Sequence, residues 1–230
     1  YYHLKSAMDV VEMCRRENAF IQMPHPDTKA NDGLPYDCKN EPWFTDERWM
    51  GFGARMLPAD NSVDHMFAGR IERVWNDINN WAEKPRYVMS ELDTYTKVEE
   101  SEEDWELYPM TNCTYVQLDH IPSSEKYDEL VDALRAGKHF YSTGEVLLEN
   151  CVIEDGKATA TFSWTFPMAY AECVYSDGEN VHSIRIPMNE TKPYGRETVE
   201  FSFPKGMKWA RVFATDIAWN SAFGMPVFVK

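Results

Sequence analysis

The sequence predicts an α/β half followed by an antiparallel β-sandwich, and three observations carry that reading. Up to residue 143, apolar stripes at helical spacing alternate with short apolar runs that read as strands. From Val146 onward the helical stripes stop, and short β runs recur at even spacing between turn signals. The change falls at Thr143-Gly144, which divides the chain into residues 1–143 and an immunoglobulin-like sandwich at residues 144–230.

Ser6 reads as an N-cap with Asp9 able to reach back to it, and Val10, Val11 and Cys14 then form a helical stripe to about Asn18. Residues 19–23 follow as a short buried strand stopped by Pro24-His25-Pro26. Residues 27–53 are rich in turn signals and read as a long loop held down by Trp43, Phe44, Trp49, Met50 and Phe52. Residues 52–57 read as a strand, and residues 65–81 as a helix with Met66, Ile71, Val74, Trp75 and Ile78 apolar. Asn76, Asn79 and Asn80 weaken its last turns. Residues 86–92 read as a strand, 112–118 as an alternating strand, and Tyr127, Leu130, Val131 and Leu134 share a helix face ended by Gly137. In the second half, Glu154-Asp155-Gly156-Lys157 is a hairpin turn, and roughly seven strands lie between Val146 and Val229.

A chain of 230 residues buries a sizeable core, and no stretch is apolar enough to span a membrane. The net charge of -15 argues against nucleic acid or an anionic membrane surface as a partner, since both recruit positive patches. Five scattered cysteines without a C-x-x-C pair give neither a zinc site nor a complete disulfide framework. No targeting segment is visible, and the abrupt start of the chain leaves room for an extracytoplasmic origin.

The chemistry centres on Ser90-Glu91-Leu92-Asp93-Thr94-Tyr95. In a strand, period two places Glu91 and Asp93 on one face at the C-terminal end, where α/β sheets build sites. Two such carboxylates hold a divalent metal or act as acid and base; the plain alternative is a strand running into a solvated acidic loop. His25, pinned between two prolines after the first strand, is a second candidate ligand, and a structurally satisfied histidine is its plain alternative.

Several stretches stand in a recognisable order: Met23-Pro24-His25-Pro26, Gly53-Ala54-Arg55-Met56-Leu57-Pro58-Ala59-Asp60, Ser90-Glu91-Leu92-Asp93-Thr94-Tyr95, and Leu134-Arg135-Ala136-Gly137 running into Ser142-Thr143-Gly144-Glu145. Together they resemble the C-terminal half of the PHP (polymerase and histidinol phosphatase) superfamily, in its carbaryl-hydrolase-like branch with a C-terminal β-sandwich. The resemblance implies a partial (β/α)7 barrel before the sandwich. It also implies two or three divalent metals (Zn, Mn or Fe) and hydrolysis of a small-molecule ester or phosphoester by an activated water. His25 matches the family's His-Pro ligand and Asp93 its late Asp-x-His pair, with Tyr95 where that histidine would stand. Glu91 is an added oxygen donor on chemical grounds, and Lys29, Asp60 and Tyr95 are expected as substrate or outer contacts. The family's early histidine motif is absent, so the metal shell is expected to be incomplete and the chain to be a piece of a longer hydrolase. The alternative is a non-catalytic module in which exposed Trp and Tyr bind glycan or a protein partner.

Overall fold

The computed structural model describes residues 6–23, 36–54, 71–90, 113–123 and 125–229. Helix α1 (Ala7–Arg16) opens with a reciprocal capping box. The Asp9 amide donates to the Ser6 hydroxyl at 3.3 Å, and the Ser6 amide donates to the Asp9 carboxylate at 2.9 Å. Strand β1 (Ile21–Met23) follows, then a 3₁₀ turn at Tyr36–Cys38, α2 (Pro42–Thr45), β2 (Trp49–Ala54), α3 (Ile71–Trp81) and β3 (Tyr87–Ser90). These strands form a parallel sheet in the order β1-β2-β3, with Met23 opposite Phe52 and Ala54 opposite Ser90.

The expected loop over residues 27–53 therefore contains a turn, a helix and most of a strand. Two glycines in Trp49–Ala54 lower its β propensity, and burial of Trp49, Met50 and Phe52 overrides them.

After β3 the chain changes sheet. Strands β4 (Cys113–Val116) and β5 (His139–Ser142) flank α4 (Asp128–Arg135) and pair antiparallel. Helix α4 closes in a Schellman arrangement: Lys138 N–H donates to Ala133 C=O at 2.9 Å and Gly137 N–H to Leu134 C=O at 3.0 Å, with Gly137 at φ 69°. The remaining strands are β6 (Val146–Glu154), β7 (Lys157–Trp164), β8 (Met168–Ser176), β9 (Val181–Pro187), β10 (Gly195–Ser202), β11 (Trp209–Asp216), β12 (Ser221–Gly224) and β13 (Val227–Phe228). One sheet runs β10-β7-β6, and the larger runs β4-β5-β12-β11-β8-β9 with β13 beside β11.

The larger sheet is covered on both faces, and β11 shows how. Ala210, Val212 and Ala214 enter the core shared with β6, β7 and β10, whereas Trp209 and Phe213 enter the core shared with β2, β3 and α3. Every residue of β11 is buried, Arg211, Thr215 and Asp216 included, as suits the middle layer of three. The polar ends of α3 fasten it to this layer. Asn80 Oδ1 accepts from Trp209 Nε1 and from Ser176 Oγ, both at 2.8 Å, and Lys208 Nζ donates to the Asn80 carbonyl at 2.6 Å. The asparagines that weaken the helix as a helix are its docking groups.

Among the described residues the expected partial (β/α)7 barrel is not evident. Of the described residues 44% are strand and 21% helix, in three sheets with four short α-helices, and parallel pairing stops at β3. Helix and strand stripes are the same in a small parallel sheet and in a barrel; which strand edges pair is what differs. Here β4 and β5 join β12 across residue 143, so the central sheet takes strands from both halves of the chain.

The cysteines form no disulfide; Cys14 and Cys173 are buried, and burial pushes Cys173 and the largely enclosed Cys151 thiol up to about 12. No described helix is long and apolar enough to cross a membrane.

His139 on β5 is buried against the Tyr87 ring, with centroids 5.5 Å apart, and among the described residues neither ring nitrogen makes a well-formed hydrogen bond. Burial pushes its pKa down to about 4, and the nearby Val88 backbone offsets only part of that. The unfolded chain takes up this proton below about pH 6.5 and the folded protein only near 4. Stability should therefore fall as pH drops through that window, by about 3 kcal/mol at pH 4. Urea unfolding of the protein and of His139→Phe at pH 7.5 and 4.5 checks this; equal pH dependence in both would remove His139 as the cause.

Candidate functional site

The parallel sheet is built so that its three strands end together. β1 ends at Met23, β2 at Ala54 and β3 at Ser90, and the register keeps these tips within two residues of one another along one edge. The far end of β3 is anchored by α3: Trp75 Nε1 donates to the Arg86 carbonyl at 2.7 Å, and Asn79 bonds the Arg86 amide and carbonyl at 2.9 and 3.1 Å. Its C-terminal tip is held by β4, where the Ser90 amide donates to Thr114 Oγ1 at 2.7 Å. Sequence reasoning saw neither tie, because both join segments far apart in the chain or rest on asparagines that read as helix breakers.

The six candidate site residues, His25, Lys29, Asp60, Glu91, Asp93 and Tyr95, all lie outside the described residues. What the structure supplies is the sheet edge from which their segments continue. Among the described residues, no group of three or more His, Cys, Asp or Glu side chains is arranged to hold a metal. The donor set of one imidazole and two carboxylates suits Zn, Mn or Fe chemically, so the fit of a metal rests on the segments that follow Met23 and Ser90.

The run from Ala133 to Glu145, the most specific part of the family resemblance, has a structural use here. Beyond the α4 cap, Ser142 Oγ donates to the Val146 carbonyl at 2.6 Å and accepts from the Gly144 amide at 3.0 Å. Thr143 Oγ1 accepts from the Ser221 amide at 2.8 Å, which locks β5 to β12. Beside this turn a cavity of about 610 Å³ is lined by Cys113, Tyr115, Glu145, Leu147, Ser163 and Trp164. It lies alongside β4 and was not foreseen, since it forms only when β4 and β6 are brought together.

The fold and the edge together define a small parallel α/β sheet backed by a two-sheet β unit, with its C-terminal strand tips as the candidate site. No protein-family model matches the chain, and no curated protein is similar to it.

Proposed function

We propose that this chain forms part of a metal-dependent hydrolase acting on a small phosphoester or related ester, similar to the PHP-type enzymes its motifs resemble. The common C-terminal edge of β1, β2 and β3 supports the reading above all. His25 follows β1 by two residues, Asp60 follows β2 by six, and Glu91 and Asp93 follow β3 by one and three. That edge of a parallel sheet is where α/β proteins gather catalytic groups. His25, Glu91 and Asp93 would hold the metal, and Lys29 and Asp60 would contact the substrate. A bound Zn, Mn or Fe ion would supply Lewis acidity and a water deprotonated near neutral pH.

Three donors leave a two-metal shell incomplete, so weak binding and slow turnover are expected of this chain. Calorimetric titration with manganese and zinc, with aryl phosphate hydrolysis followed in parallel, tests this. His25→Ala and Asp93→Ala should each weaken metal binding by more than about tenfold. Unchanged metal binding in both variants would discard the reading; stoichiometric metal with fast turnover lost in His25→Ala would show instead that the shell is complete.

One observation favours the second reading, a non-catalytic module binding glycan or a partner. Tyr194 is 84% exposed, and its amide bonds the Thr165 carbonyl beside exposed Phe166, while Ile217 bonds the Pro167 carbonyl. These backbone bonds bring three exposed residues with large apolar side chains to the turn between β7 and β8. Glycan binding lost in Tyr194→Ala, without metal dependence, would favour it.

A further inference from the structure

The opposite edge of the parallel sheet, where the strands begin, carries an unusual charge. A cavity of about 310 Å³ there is lined by Arg48, Lys84, Arg86 and Arg135, with Glu47 as the one carboxylate among its lining residues. Glu47 is taken by Lys84 at 3.0 Å, and Arg135 lies 3.6 Å from exposed Asp132. Among the described residues neither Arg48 nor Arg86 has a carboxylate within ion-pair distance. Asp46, the nearest to influence Arg86, is paired with Arg15 at 2.6 Å. Four cations around one small cavity run against a chain whose net charge is -15.

The guanidinium groups do bond main-chain carbonyls. Arg48 donates to Ala19 at 3.2 Å, Arg135 to Asn18 at 3.0 Å and Ala19 at 3.3 Å, and Arg86 to Trp49 and, at 3.3 Å, to Thr45. Capping carbonyls explains donors, and neutral amides would serve as well; it does not explain the concentration of positive charge. Among the described residues the Nε atoms of Arg48 and Arg86 are buried without a hydrogen-bond partner. Arg86 is only 5% exposed, and burial pushes its pKa down to about 10, as expected of a cation desolvated without a counter-ion. An adjoining cavity of about 780 Å³ shares Glu47, Lys84 and Arg86 and continues to Trp81, over which Lys39 sits 5.3 Å from the ring centroid.

We propose that the Arg48–Lys84–Arg86–Arg135 pocket binds the phosphate group of a small organic phosphate, whose apolar part lies along Trp81 in the adjoining cavity. Arginine forks and a lysine match a phosphate dianion in charge and in donor geometry. Setting Glu47 and Asp132 against the four cations leaves two positive charges to meet it. This site lies at the edge of the sheet away from the proposed metal residues, and it does not depend on them.

Phenyl phosphate and inorganic phosphate are the probes, titrated calorimetrically into the whole chain after removal of metal with EDTA. Saturable one-to-one binding is expected. Lys84→Ala and Arg135→Gln, at positions exposed enough to leave the fold intact by circular dichroism, should each weaken both probes by about tenfold. Trp81→Ala should weaken phenyl phosphate and spare inorganic phosphate, and Lys205→Ala on the β unit should change neither. No saturable binding, binding unchanged in Lys84→Ala and Arg135→Gln, or binding that disappears with the metal would each overturn the proposal.

Discussion

Arg211→Leu is expected to destabilise the protein by about 3–5 kcal/mol, the cost of removing one partner from a buried ion pair. Arg211 sits in the middle of β11 and is 1% exposed, yet it faces α3 and not solvent. Its guanidinium pairs with Glu72, donates to Asn76 Oδ1 at 3.1 Å and lies 4.5 Å from the centroid of the Trp75 ring. The leucine would leave the Glu72 carboxylate, with only 18% of its side chain exposed, facing an apolar wall. The double variant Arg211→Leu/Glu72→Leu should recover much of the loss, because replacing both partners with apolar groups is often close to neutral. Urea unfolding of the two single variants and the double decides it. A loss under about 1 kcal/mol, or a double variant no better than Arg211→Leu, would mean that the pair does not bind the helix to the central sheet.

Gly51→Ala should cost about 4 kcal/mol through backbone strain and overlap together. Gly51 has φ 144°, a region open to glycine and strained for other residues, and it stands opposite Tyr87 in the β2–β3 pairing. A Cβ there would overlap the Tyr87 carbonyl oxygen, a backbone atom that moves only if the two strands part. Spreading them would also disturb the register that brings Ala54 and Ser90 to one edge, so the metal binding proposed for that edge should weaken along with stability. Thermal unfolding and manganese titration of Gly51→Ala are the measurements. A melting temperature within a degree or two of the unsubstituted protein would show that β2 and β3 tolerate the insertion.

Local features were legible in the residues because their causes are local. The Ser6–Asp9 box, the Gly137 cap and the Asp155-Gly156 turn each satisfy backbone groups within a few positions, and all three form as their spacing suggests. The alternation along residues 158–166 likewise reports a two-faced strand. Strand pairing is different in kind, since it depends on which distant edges find each other. The same stripes that suggest a barrel also fit three parallel strands set against a mainly antiparallel sheet, and burial of Trp209, Phe213 and Phe223 against Trp49, Phe52 and Trp75 selects the second. Short strands such as Ser221–Gly224 and His139–Ser142 carry too few residues for a period and exist through their neighbours. The candidate metal residues were read from residue type and motif order, and tertiary structure adds the sheet edge from which their segments continue. The cationic pocket was invisible in sequence: Arg48, Lys84, Arg86 and Arg135 share no spacing, and only the start of a parallel sheet draws them around one cavity.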